Sequence, residues 1–149
     1  MATGLAAPTL LYVEDEAITS GLVEEALREA GFEVLTASDG HEALGHVGAN
    51  SGILRGLITD INLGDCPDGW DVARKARESI DGLPVVYVSG ACEHEWTARG
   101  VPNSLMIAKP FAAAQIVVAI SSLLVGLDAR PVVIAGARDD DDDDDDHCA

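Results

Sequence analysis

The chain has 149 residues, 48% of them hydrophobic, which suits one domain with a sizeable core. Its 26 acidic residues against 9 basic ones leave a formal charge of -17. That balance argues against binding nucleic acid, whose affinity rests on Lys and Arg neutralising phosphates, and against docking on anionic membranes.

The first ten residues, MATGLAAPTL, carry no Lys or Arg and too short an apolar run for a signal peptide, and residues 1–8 read as an N-terminal extension. TLLYV (9–13) is expected as a first strand, followed by a helix over 16–30 with a stripe of Ile18, Leu22, Val23, Ala26 and Leu27. Gly31 stops that helix. FEVLTA (32–37) is a second strand, after which Ser38 or Asp39 caps a short helix carrying Ala43, Leu44 and Val47. GLITD (56–60) is the third strand, and it ends abruptly on a carboxylate before a Gly/Pro/Asp-rich loop. The next helix spans about 69–79, with Val72, Ala73, Ala76 and Ile80 on one face and Trp70 as a packing residue. LPVVYVSG (83–90) is the fourth strand, EHEWTAR (93–99) a short polar helix and SLMIA (104–108) the fifth strand.

The most apolar stretch, AAAQIVVAISSLLVGL (112–127), falls short of the ~20 residues that span a bilayer. Ile116, Ile120, Leu123, Leu124 and Leu127 fall at helical spacing, so it reads as a helix with one face on a core. RPVVIAGAR (130–138) is short and ambiguous, and the eight aspartates at 139–146 are expected to be disordered through self-repulsion. The expectation is therefore one domain over 9–127 and an acidic tail over 128–149. Cys66, Cys92 and Cys148 are scattered, form no C-x-x-C pair and read as reduced thiols of a cytoplasmic protein. His41, His46 and His94 read as solvated residues on polar helix faces.

Five alternations of Val/Ile/Leu strand and helix mean a parallel sheet covered on both faces, whose functional crevice lies at the carboxyl ends of the strands. There the sequence places Glu14 and Asp15 after strand 1, Asp60 after strand 3, Ser89 after strand 4 and Lys109-Pro110 after strand 5. An acidic residue after a strand is ordinarily a cap, and a lone Lys-Pro a turn. Their conjunction on alternate strands is much less easily accidental. Three clustered carboxylates repel one another unless protonated or metal-bound, and an all-oxygen site with water positions to spare suits Mg²⁺. A metal between Asp15 and Asp60 would let an anionic phosphoryl donor approach, and Asp60 could attack phosphorus to give an aspartyl phosphate. Lys109 would supply a point charge and Ser89 a hydrogen bond to the phosphoryl oxygens.

The motifs YVEDE, ITDINL, YVSGA and IAKPF, in that order, resemble the receiver domain of two-component response regulators over residues 9–127. The resemblance implies a flavodoxin-like (βα)5 fold, doubly wound, with a five-stranded parallel sheet in the order 2-1-3-4-5. It implies phosphorylation of Asp60 by a phosphorylated histidine of a sensor histidine kinase or a histidine phosphotransfer protein. It also implies Mg²⁺ bound by Asp15, Asp60 and the backbone carbonyl of Asn62, with Glu14 assisting through water, and a cis Lys109-Pro110 bond. Three departures stand out: Glu14 where a second Asp is frequent, a loop INLGDCPDG one residue longer than the common pattern, and Met106 at the position, three before the lysine, where the family carries an aromatic switch residue.

The leading expectation is a stand-alone phosphoacceptor, not an enzyme, working in a phosphorelay. Ser89 and Met106 would shift on phosphorylation, and the signal would leave by protein contact through the fourth helix, fifth strand and fifth helix, with Trp96 as anchor. A phosphate sink for a kinase stays open beside it. Two further readings are a phosphatase forming an aspartyl phosphate, which would want an Asp where Asn62 stands, and a phosphorylation-independent binding module.

Overall fold

The computed structural model describes residues 7–64, 67–90, 100–125 and 132–134. The strands are β1 (Thr9–Val13), β2 (Glu33–Ala37), β3 (Leu54–Asp60), β4 (Val85–Ser89), β5 (Ser104–Ala108) and β6 (Val132–Ile134). The helices are α1 (Ala17–Glu29), α2 (Gly40–Asn50), α3 (Gly69–Ser79) and a last helix, Ala113–Leu124. All strands pair in parallel, in the order β2-β1-β3-β4-β5-β6.

The first five strands thus lie in the expected order. The sheet is extended by β6, so the stretch over 128–149 is not all tail: three of its residues form a sixth strand. The physical reason is plain: without β6 the outer N–H and C=O groups of β5 would lie at an open edge, and Val-Val-Ile is strong β-forming sequence.

Side chains alternate across the sheet with the period of two that strand geometry imposes. Leu11, Val13, Leu57, Val85, Tyr87 and Met106 join Val47, Trp70, Val72 and Ala76 in one apolar layer, under α2 and α3. Leu10, Tyr12, Ile58, Val86, Val88 and Ile107 join Val23, Leu27, Ile116 and Ile120 in the other, under α1 and the last helix. Burial of both faces is what makes β3 and β4 continuous apolar runs.

The stripe expected on α1 is corrected in part. Val23 and Leu27 are buried, but Ile18 and Leu22 are 75% and 61% exposed. At 100° per residue those five positions span about half the helix circumference, wider than the arc one sheet face can cover. Two helices start on a side-chain cap, and of the pair Ser38 and Asp39 it is Asp39 that serves α2. Asp39 accepts from the Glu42 amide at 2.8 Å, and Asp68 from the Asp71 amide at 3.0 Å, with Asp71 returning a bond to the Asp68 amide. Leu127, His94 and Trp96 lie outside the described residues.

Candidate functional site

Two adjacent strand ends build the acidic side of the site. Glu14 leaves β1 with its amide donating to the Ala37 carbonyl at 2.9 Å, which ties it to the end of β2. Tyr12, two residues earlier and so on the same side of the strand, donates its hydroxyl to Glu14 Oε1 at 3.3 Å. The Glu16 amide donates to Glu14 Oε2 at 3.2 Å. Glu14 is only 3% exposed, while Asp15 beside it is exposed.

β3 delivers Asp60, 4% exposed, between these carboxylates and the ends of β4 and β5. The Ile61 amide donates to the Val88 carbonyl at 3.0 Å and the Lys109 amide to the Ser89 carbonyl at 2.8 Å, so the three strand ends are tied into one rim. The Asp60 carboxylate takes two donors: the Asn62 amide on Oδ1 at 3.2 Å and Lys109 Nζ on Oδ2 at 2.8 Å. Thr59, buried beside it, donates its hydroxyl to the Asp60 carbonyl at 2.9 Å. Ser89 is buried at the same edge, and the Lys109–Pro110 peptide is cis.

The charges respond to this crowding. Burial, then the Asp60 charge, pushes the Glu14 carboxyl above its ordinary range, although the Glu16 amide and Lys109 pull the other way. Burial alone would lower the Lys109 ammonium, but its hydrogen bond to Asp60 and the charges of Asp60, Glu14 and Asp15 win, and its pKa is raised. Burial, followed by the Glu14 charge, drives the Tyr12 phenol upward, which keeps it a hydrogen-bond donor.

One carboxylate oxygen each from Glu14, Asp15 and Asp60 lies within 4.8 Å of the others. One ammonium faces three carboxylates, all donors are oxygen and one member is exposed. This donor set fits a hard divalent cation such as Mg²⁺, which takes one or two carboxylates and keeps several waters.

The uncompensated charge has a measurable consequence. Glu14→Gln is expected to stabilise the protein in chelator at pH 7 by about 1 kcal/mol, since it removes one buried charge from a like-charged cluster and keeps an oxygen for Tyr12, at the cost of the bond from the Glu16 amide. The folded-state pKa of Glu14 is raised, so its contribution to stability is full below the ordinary value of 4.5 and lost as pH rises through the raised one. The gain of the variant is therefore largest at neutral pH and fades as pH falls toward 4.5. Paired thermal unfolding curves at the two pH values check it; an equal gain at both would remove the charge argument.

Of the residues singled out in the sequence, Glu14, Asp15, Asp60, Ser89 and Lys109 come together at this rim, and Asn62 joins them through its amide. Met106 does not reach it: it is fully buried in the layer under α2 and α3, opposite Tyr87 on β4. Sequence reasoning passed over Tyr12, Thr59 and Gly69. Tyr12 could have been found from its spacing of two to Glu14. Gly69 opens α3, its amide donates to the Ile61 carbonyl at 2.9 Å, and a Cβ there would strike the Asp60 carbonyl oxygen.

The chain is similar to known proteins. Residues 10–121 match the response regulator receiver domain family. The chain is 34% identical over 117 residues to the transcriptional regulatory protein CusR of Escherichia coli K12, covering 77% of this chain and 50% of that protein. It is 32% identical over 126 residues to the transcriptional regulatory protein PrrA of Mycobacterium tuberculosis, covering 83% and 53% respectively. It thus spans about half the length of these curated relatives. Among solved structures, a response regulator receiver protein from Sinorhizobium medicae superposes with a TM-score of 0.76 at 42% identity, over 80% of this chain and 95% of that one. The receiver domain of the hybrid histidine kinase CckA gives 0.63 at 29% identity, over 78% and 98%. Strand order, the acidic rim with its facing lysine, and sequence similarity over three quarters of its length agree: the chain belongs to the response regulator receiver domain family.

Proposed function

We propose that Asp60 is the phosphoacceptor of a two-component phosphorelay, receiving its phosphoryl group from a phosphohistidine of a sensor kinase or phosphotransfer protein in the cytoplasm. The observation that carries this reading is the Asp60 carboxylate itself: nearly buried, at the mouth of a central strand, hydrogen-bonded to Lys109 Nζ at 2.8 Å and flanked by two further carboxylates. A buried nucleophile with a paired ammonium beside an acidic cation cradle is what attack on an anionic phosphorus requires.

In the proposed step an Asp60 oxygen forms the new bond to phosphorus, the phosphorus–nitrogen bond to the donor imidazole breaks, and its electron pair returns to that ring. Asp15, Asp60 and the Asn62 carbonyl would hold Mg²⁺, with Glu14 acting through water. Once bound, the cation neutralises charge on the carboxylates and the incoming phosphoryl oxygens. Lys109 releases Asp60 and takes a phosphoryl oxygen, and the Ser89 hydroxyl takes another. Ser89 sits one residue pair from Lys109 along β4 and β5, with Ala108 as its partner, so a pull on one is felt by the other. The signal would leave by protein contact on the side of β5, with Met106 repacking against Tyr87 as Ser89 moves.

The test is incubation with a small phosphodonor and Mg²⁺, followed by intact mass measurement of wild type and Asp60→Asn. One phosphoryl group is expected on wild type and none on the variant. Label persisting on Asp60→Asn, or sustained turnover of a phosphate ester, would overturn the proposal.

A further inference from the structure

The outer edge of β5 is covered by a short segment near the end of the chain. β6 is three residues long, and its Val132, Val133 and Ile134 lie opposite Leu105, Met106 and Ile107. The triplet is β-branched throughout, and Arg130 and Arg138 bracket it in a chain that has only 9 basic residues and a charge of -17. A ladder this short at a sheet edge is weakly held, because few backbone pairs offset the cost of ordering the strand. Eight aspartates follow at 139–146, and the residues before them are also net acidic, 18 acidic against 9 basic, so like-charge repulsion weakens the hold further. What β6 covers is a row of β5 backbone groups that, once bared, pair readily with another strand.

We propose that the outer edge of β5 is a strand-acceptor site, held in this chain by its own Val132–Ile134, and that a partner polypeptide presenting an extended β-branched triplet flanked by basic residues takes the edge by displacing β6. The chain's own segment displays the chemistry the edge accepts. The added strand runs parallel to β5, backbone hydrogen bonds supply the affinity, and alternate side chains supply specificity. Basic flanks are favoured because the chain is strongly acidic, and a second copy is disfavoured because it brings the same -17. The site also lies where occupancy matters, since β5 runs directly into Lys109, whose ammonium rests on Asp60.

A labelled peptide of the sequence RPVVIAGAR, titrated by fluorescence polarisation against the full chain, tests this in wild type, Val133→Pro and Ile134→Gly. Proline and glycine are both poor strand formers, so both changes loosen β6 and leave β5 intact. Tethering gives β6 the advantage of a high effective concentration over any free peptide. Val133→Pro is therefore expected to bind the peptide at least about tenfold more tightly than wild type, with Ile134→Gly between them. Added salt should weaken binding, and a peptide with proline at its central valine should bind more weakly. Peptide affinity equal in all three proteins would overturn the proposal. Should Val133→Pro fail to fold, Ile134→Gly decides by the same criterion. Sedimentation showing a wild-type dimer joined through its own β6 would overturn the choice of a foreign partner.

Discussion

Lys109→Ala is expected to slow phosphoryl transfer to Asp60 by roughly a hundredfold or more, while leaving divalent-cation binding intact or tighter. A fixed positive group aimed at charge developing on transferred oxygens is worth about that much when removed. Lys109 Nζ lies 2.8 Å from Asp60 Oδ2, so only a short pivot separates its resting contact from an oxygen on phosphorus bonded there. Cation binding responds in the opposite direction, because the substitution removes a like charge from beside three carboxylates. Fold stability should fall as well, since Asp60 loses its counter-charge, but by only about 1 kcal/mol because the lysine side chain is 34% exposed and solvent screens the pair. The ammonium's raised pKa makes its contribution to stability full below the ordinary value of 10.5 and lost only as pH rises through the raised one, so the deficit of the variant persists across the neutral range. Single-turnover phosphorylation and calorimetric Mg²⁺ titration read the two effects separately. A rate within threefold of wild type would remove Lys109 from the transfer step.

Gly69→Ala is expected to destabilise the protein by about 2–4 kcal/mol and to cut phosphorylation by more than tenfold. Helix propensity alone predicts the opposite sign, a gain of up to about 1 kcal/mol. The contact decides: an alanine Cβ would strike the Asp60 carbonyl oxygen and lie 2.6 Å from Ile61 Cα, and neither backbone atom can step aside without moving the other. Relief must come from shifting α3 or the Asp60–Ile61 backbone, and either displaces the carboxylate relative to Lys109 and the Asn62 amide. Gly45→Ala, inside α2 with nothing near its absent Cβ, is the control and should be stabilising by roughly 0.5–1 kcal/mol. Thermal unfolding of both variants, with phosphorylation rates, checks the pair. A stable, fully active Gly69→Ala would mean that the α3 start yields more easily than its packing suggests.

The strands were legible in the sequence because burial on both faces demands unbroken apolar runs, and GLITD, LPVVYV and SLMIA are such runs. The chemistry was legible for a related reason. Charged residues ending those runs have no place in the core, so Glu14, Asp60 and Lys109 had to stand at the rim. The cap at Asp39 follows from local hydrogen bonding alone, which needs no distant partner.

Other features depended on what lies across the fold. Ile18 and Leu22 belong to the same helical pattern as Val23 and Leu27, and only the width of the sheet face separates buried from exposed. Val132–Ile134 looks like any short apolar stretch until the vacant edge of β5 makes it a strand. Pairing of Lys109 with Asp60 spans 49 residues and exists because β3, β4 and β5 are neighbours in register. By itself the sequence determined which residues reach the carboxyl edge of the sheet, through periodicity and the cost of burying charge. Which of them touch, and which backbone atoms leave Gly69 no room for a side chain, was decided only by tertiary packing, because those distances are set between elements that share no local sequence.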